Sequence, residues 1–211
     1  MHNPFRMLIL SAICLACAPC FAQQDFSADA VMNQASDHKI KIYVTKTKVR
    51  IEDANSMSMG AMIIDMDNRV TDFVMPQRHM YIESASSQPM PMSPNIFQFF
   101  RAADPEDACS HWEKIARDRN HPDYKCRKVG DETVNGRDTV KYEGTSSKQS
   151  GTDYVWIDKK IDFPVKWQQA SEKSGELRNI QTGPQAGSLF EIPAGYQKMD
   201  ASQMMRGAPQ R

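Results

Sequence analysis

V-N-G-R-D-T-V-K-Y-E-G (134–144), followed after a short polar stretch by Y-V-W-I-D-K-K-I-D-F-P-V-K-W-Q (154–168), decides how the rest of the chain is read. Asn135-Gly136 is a strong hairpin signal, because a type I′ turn needs positive φ at both central residues. Thr139 to Tyr142, Tyr154 to Ile157 and Val165 to Trp167 are short β-rich segments that mostly alternate apolar with polar. Asp158-Lys159-Lys160 supplies a polar turn between the last two. The expectation is an antiparallel meander with one apolar face. Large aromatics on such a face, with no catalytic motif beside them, point to a binding surface more than to an enzyme.

Working outward, the N-terminal half is also β-rich. Phe26 to Met32 is a candidate strand, and His38 to Thr45 places Ile40, Ile42 and Val44 on one side and Lys39, Lys41 and Tyr43 on the other. That pattern predicts a half-buried strand with a solvated face. Lys48 to Glu52, Ala61 to Asp67, Val70 to Met75 and His79 to Glu83 follow, with turns at Asp67-Asn68 and Gln77-Arg78. Strands recurring at this spacing predict a large antiparallel sheet or barrel.

The pattern breaks at residues 84–95, which are rich in Ser and Pro. Ser93-Pro94 and Asp104-Pro105 both look like helix starts, a cap followed by proline at the first helical position. The first helix would carry Ile96, Phe97, Phe99 and Phe100, and the second would run to about Asp118 with Ala108, Trp112 and Ile115 on one face. Strands resume near Arg127 and continue to about Pro193. The predicted order is six strands, two short helices, then five or six strands.

The chain begins like an export signal. Arg6 is the positive residue, Met7 to Ala18 the apolar stretch, and Cys20-Phe21-Ala22 a small-residue site for cleavage after Ala22. The stretch is shorter than the roughly 20 apolar residues of a membrane span. Cys14, Cys17 and Cys20 keep lipidation open, although none has the usual preceding pattern. Residues 23–198 are expected to form one domain and 199–211 a disordered tail, in a periplasmic protein. Lys+Arg and Asp+Glu number 26 each, so loss of Arg6 leaves the protein near neutral. Nucleic acid, which wants a basic face, is disfavoured. Cys109 and Cys126 remain after cleavage, and two cysteines in an exported chain usually pair. A loop of that size is worth about 3 kcal/mol in the chain-entropy model. A redox or metal pair is the alternative, but the spacing is far from C-x-x-C.

The segments K-V-R-I-E (48–52), V-N-G-R-D-T-V-K-Y-E (134–143), V-W-I-D-K-K-I-D-F-P-V-K-W (155–167) and L-F-E-I-P-A-G-Y-Q-K-M (189–199) resemble the LolA/LolB superfamily of periplasmic lipoprotein carriers, in particular LolA-like families of unknown function. The resemblance covers nearly all of the mature chain. It implies an incomplete antiparallel β-barrel of about eleven strands with a mid-chain helical lid, binding acyl chains in its cavity. The lid region is shorter than in lipoprotein carriers, which leaves generic binding of a lipid or other hydrophobic ligand.

The cavity and lid candidates are Ile96, Phe97, Phe99, Phe100 and Trp112 from the helices and Tyr142, Tyr154, Trp156 and Trp167 from the sheet. Each could equally be ordinary core, since large aromatics dominate core energetics in any domain. The 14 methionines raise a second reading. Met57, Met59 and Met62, with Met90 and Met92, put soft thioethers close together, a ligand set that suits Cu(I). Flexible methionines lining an adaptable apolar pocket are the alternative. A structural or adaptor module of the envelope, receiving another protein, is the third. For catalysis nothing assembles. His38, His79, His111 and His121 are scattered, and no G-x-S-x-G, H-E-x-x-H or P-loop is present. Asp65, Asp67 and Asp72 surround a turn, where Asp is expected for backbone reasons; Ca²⁺ is the alternative. No cofactor is expected.

Overall fold

The computed structural model describes residues 24–33, 40–53, 60–85, 105–118, 120–147 and 149–199. The strands are β1 (Phe26–Met32), β2 (Ile40–Val44), β3 (Lys48–Asp53), β4 (Ala61–Asp65), β5 (Val70–Met75) and β6 (Met80–Ala85), then helix α1 (Ala108–Asp118). After it come β7 (Lys125–Val134), β8 (Arg137–Ser146), β9 (Gln149–Asp158), β10 (Phe163–Gln168), β11 (Ser174–Thr182) and the two-residue β12 (Gln197–Lys198). They form one sheet in the order β12-β6-β5-β4-β3-β2-β1-β11-β10-β9-β8-β7. Every neighbouring pair is antiparallel except β12 with β6. The sheet therefore consists of two meanders joined by the β1–β11 pairing, and it does not close.

The local chemistry explains the turns. Asn135 and Gly136 have φ of 50° and 76°, the two positive values that the β7–β8 hairpin demands. Between β4 and β5, Asp65 accepts the backbone N–H of Asp67 at 3.1 Å and of Asn68 at 2.9 Å, an Asx-type turn. Between β9 and β10, Asp158 accepts the N–H of Lys160 at 2.8 Å and of Ile161 at 3.0 Å, and takes Arg137 Nε on its other oxygen. The strands of the β8–β9 hairpin run ten residues each, longer than the alternating cores predicted, because Gly144 and the serine-rich tip continue the ladder.

Phe26, Ala28, Ile42, Val44, Val49, Ile64, Met66, Ile161, Phe163, Val165 and Leu177 share one buried cluster. It joins β1–β4 to β10 and β11, so the sheet curls around its inner face into an open barrel. α1 lies on the same face over β8 and β9, where Ala108 packs with Val140, Tyr142 and Ile157. The Cys109–Cys126 disulfide ties the helix to β7, with 5.2 Å between α-carbons, and fits an oxidising compartment.

The outer face is less solvated than the alternation of β2 implied. Tyr43 packs with Ala61, Ile63, Val74 and Phe190. The reason lies in β4 and β5, where Ile63-Ile64 and Phe73-Val74-Met75 bury consecutive residues and so need cover on both sides. The C-terminal segment provides it: a 3-10 turn at Gly187–Phe190 lies over β3–β5, and Arg50 Nη1 donates to the Leu189 carbonyl at 2.8 Å.

Candidate functional site

Among the described residues, the inner face has a sealed end and an open end. At one end, beside the β2–β3, β4–β5 and β9–β10 turns, Phe26, Val44, Val49, Ile64, Ile161 and Phe163 are each 0% exposed. Phe26 and Phe163 meet edge to face with centroids 5.0 Å apart. Toward the other end the same face carries Ala30, Ile51, Met62 and Trp167, packed on the cluster but only half-buried. Met32 and Ile40 are half-buried there too. Trp167 lies across Gly175 of the neighbouring strand: a β-carbon at that glycine would overlap Trp167 Cζ2 and sit 2.7 Å from Met32 Sδ. Glycine is required here so that the indole can approach the backbone of the wall this closely.

The sequence-derived candidates separate onto two faces. Trp112, Tyr142 and Trp167 share the inner face. Tyr142 is 1% exposed, meets Trp112 edge to face at 5.7 Å, and donates its hydroxyl to the Pro105 carbonyl at 2.7 Å. It seats the helix on the sheet. Tyr154 and Trp156 sit on the outer face, which corrects the expectation of a single aromatic face. Register is the cause: Trp156 pairs with Lys141 and Lys166, whereas Trp167 pairs with Val155. Trp156 is held between the ammonium groups of Lys141 and Lys166, at 4.8 and 4.6 Å from its ring, and donates to Glu132 at 2.6 Å. Ile96, Phe97, Phe99 and Phe100 lie outside the described residues, as do Met57, Met59, Met90 and Met92.

Sequence reasoning missed a thioether group at the β4–β6 end of the inner face. Met62, Met80 and Met199 pack around buried Phe73, Met75 and Ile82. The signal was present in the period-2 placement of Phe73 and Met75, which the register aligns with Met62 and with Met80 and Ile82. Met199, which the sequence places in the tail, donates its N–H to the Tyr81 carbonyl at 2.8 Å, and its side chain joins this group. Among the described residues no three His, Cys, Asp or Glu side chains are grouped to hold a metal, and no helix is long and apolar enough to cross a membrane.

One outer-face carboxylate is electrostatically out of balance. Asp72 stands directly across from Glu83, and its Oδ1 is buried without a hydrogen-bond partner. Burial first, and then the Glu83 charge, push its pKa up to about 6, against a smaller opposing pull from Lys198. The folded state thus holds this proton more tightly than the unfolded chain, so the group lowers stability as pH rises from about 4 to 6. Asp72→Asn is expected to stabilise the protein by about 1 kcal/mol at pH 7.5, a figure reduced for solvent screening, and by almost nothing at pH 4. Urea midpoints of both proteins at the two pH values check this; an equal gain at both would assign the effect to packing.

No protein-family model and no curated protein sequence matches the chain. Solved structures do. An uncharacterized conserved protein from Thermus thermophilus matches with 10% identity over 84% of this chain and 90% of its own, at a TM-score of 0.51. PNGF-II matches with 10% identity over 87% of this chain at the same score of 0.51, but the chain spans only 32% of that protein. A LolA superfamily protein from Nitrosomonas europaea matches over 81% of this chain and 91% of its own, with 13% identity and a TM-score of 0.33. At these identities the likeness is one of fold alone. The chain is an open antiparallel barrel with a helix on its inner face, a fold it shares with the Thermus thermophilus protein and with part of PNGF-II.

Proposed function

We propose that the protein is an exported, periplasmic, non-catalytic binder of a lipid, an acylated molecule or another apolar ligand, held against the open end of the inner face. The observation that carries this reading is the gradient along that face. Its sealed end is completely buried, while Met32, Ile40, Ile51, Met62 and Trp167 continue the same apolar surface only partly buried among the described residues. A domain that needed this surface only as core would gain by closing it. Ligand binding would be driven by apolar burial at roughly 25 cal/mol per Å², less the ordering costs. The half-exposed methionines adapt to varied chain shapes, whereas the β-branched sealed end is rigid. In this reading Ile96, Phe97, Phe99 and Phe100 form the rest of the cover, α1 is its fixed part, and the leader ends at Ala22.

The test is native mass spectrometry of the mature protein, gently purified from its own envelope. A discrete lipid-sized adduct that is lost on denaturation is the expected result and names the ligand class. A bare mass, together with no saturable uptake of a fluorescent fatty-acid probe, would sink the proposal.

A further inference from the structure

The C-terminal segment passes from one face of the sheet to the other around the β6 edge. Its first part is anchored on the outer face. Phe190 is 7% exposed among Ala61, Ile63 and Val74, Leu189, Ile192 and Tyr196 join that cluster, and Arg50 holds the Leu189 carbonyl. A turn closed by Tyr196 N–H on the Pro193 carbonyl, with Gly195 at φ 84°, then redirects the chain. β12 runs along β6, and Met199 arrives on the inner face against Phe73, Met75 and Ile82.

The two parts are held very differently. The anchored part has a buried aromatic. The distal part has the short parallel ladder of β12 on β6, flanked by hydrogen bonds from Gln197 N–H to the His79 carbonyl at 2.9 Å and from Met199 N–H to the Tyr81 carbonyl at 2.8 Å. It adds the Lys198–Glu83 ion pair at 2.6 Å, whose side chains are 52% and 42% exposed. A two-residue parallel ladder and an exposed ion pair each contribute little. What remains is the burial of one methionine, in a surface that an apolar chain would cover equally well.

We propose that the distal strap is a latch on the β6 edge of the groove, with Met199 as its bolt: the bound ligand takes the place of Met199 beside Phe73, Met75 and Ile82, and the strap swings about the turn at Pro193–Tyr196 while Phe190 stays anchored. This rests on the binding function proposed above. It adds that the groove opens at the sheet edge opposite α1, and that the protein carries its own competitor for the ligand.

Two variants of the full mature chain test it. Met199→Ala weakens the bolt. Lys198→Glu sets a third carboxylate beside Glu83 and Asp72 and loosens the strap without touching the inner face. Binding of a fluorescent fatty-acid probe is measured for each, with amide exchange at Gln197 and Met199 followed in the wild type with and without probe. The expected result is probe affinity raised about three- to tenfold in both variants, and faster exchange at both amides when wild type is loaded. If wild type binds probe but both variants bind equally or more weakly, or loading slows exchange at the two amides, the strap is a fixed wall and the latch is overturned while the binding function stands. If neither wild type nor either variant binds, both fall.

Discussion

Asp158→Ala is expected to lower the unfolding free energy by about 3–5 kcal/mol, the range seen when one member of a buried ion pair is removed. Asp158 is 1% exposed and carries three partners: Arg137 Nε and the N–H groups of Lys160 and Ile161. Arg137 already has a buried Nη2 without a partner, so removal of the carboxylate leaves a partly buried cation uncompensated. The same two N–H contacts set the β9–β10 turn, which delivers Ile161 and Phe163 to the sealed end of the groove. The loss should therefore appear twice, as a lower urea midpoint at unchanged slope and as a weaker inner-face cluster. Asp158→Asn keeps an oxygen for the two N–H groups and should cost less than alanine. Equal costs for the two would assign the whole effect to the charge, and an alanine cost below about 1 kcal/mol would show that the pair is solvated after all.

The turn around Asp158 also shows what the sequence makes legible. Asn135-Gly136, Asp67-Asn68 and Asp158-Lys159-Lys160 are local signals: each depends on positive φ or on a short side chain that reaches its own backbone, so each is readable without the rest of the chain. The first eleven strands and the helix over 108–118 follow from periods of 2 and 3.6 in the same way, whereas β12 lies beyond the last strand that periodicity predicts. The face on which an aromatic ends up is different. Trp156 and Trp167 both stand in alternating segments, but they are placed on opposite faces by cross-strand register and by the bulge between Pro164 and Lys166. A one-residue offset inverts every side chain. The cover over Tyr43 and Ile63 comes from residues more than a hundred positions away, and Met199 belongs to the inner face only because the C-terminal segment rounds the sheet edge. Contacts at that separation leave no periodic trace.

That division of faces gives the sharpest functional test. Trp167→Ala is expected to weaken binding of a fluorescent fatty-acid probe by tenfold or more, because a well-packed aromatic contributes about 1.5–3 kcal/mol of apolar burial. Tyr154→Ala should leave binding within twofold. Both aromatics are half-buried and both stand near the start of the β9–β10 ladder, at adjacent positions in register, so a general loosening of the sheet would affect them alike. They differ in face. Trp167 lies over Gly175 beside Met32 at the open end of the groove, whereas Tyr154 lies outside with Lys141 above its ring at 5.0 Å. Gly175→Ala supplies the complementary change: its new β-carbon cannot coexist with the indole in its present place, so Trp167 is retained but displaced. It should weaken the probe in the same direction as Trp167→Ala, with far-UV circular dichroism unchanged. If the Tyr154 variant loses the probe and the Trp167 and Gly175 variants keep it, the ligand binds the outer face, and the open end of the barrel is only an incompletely covered core.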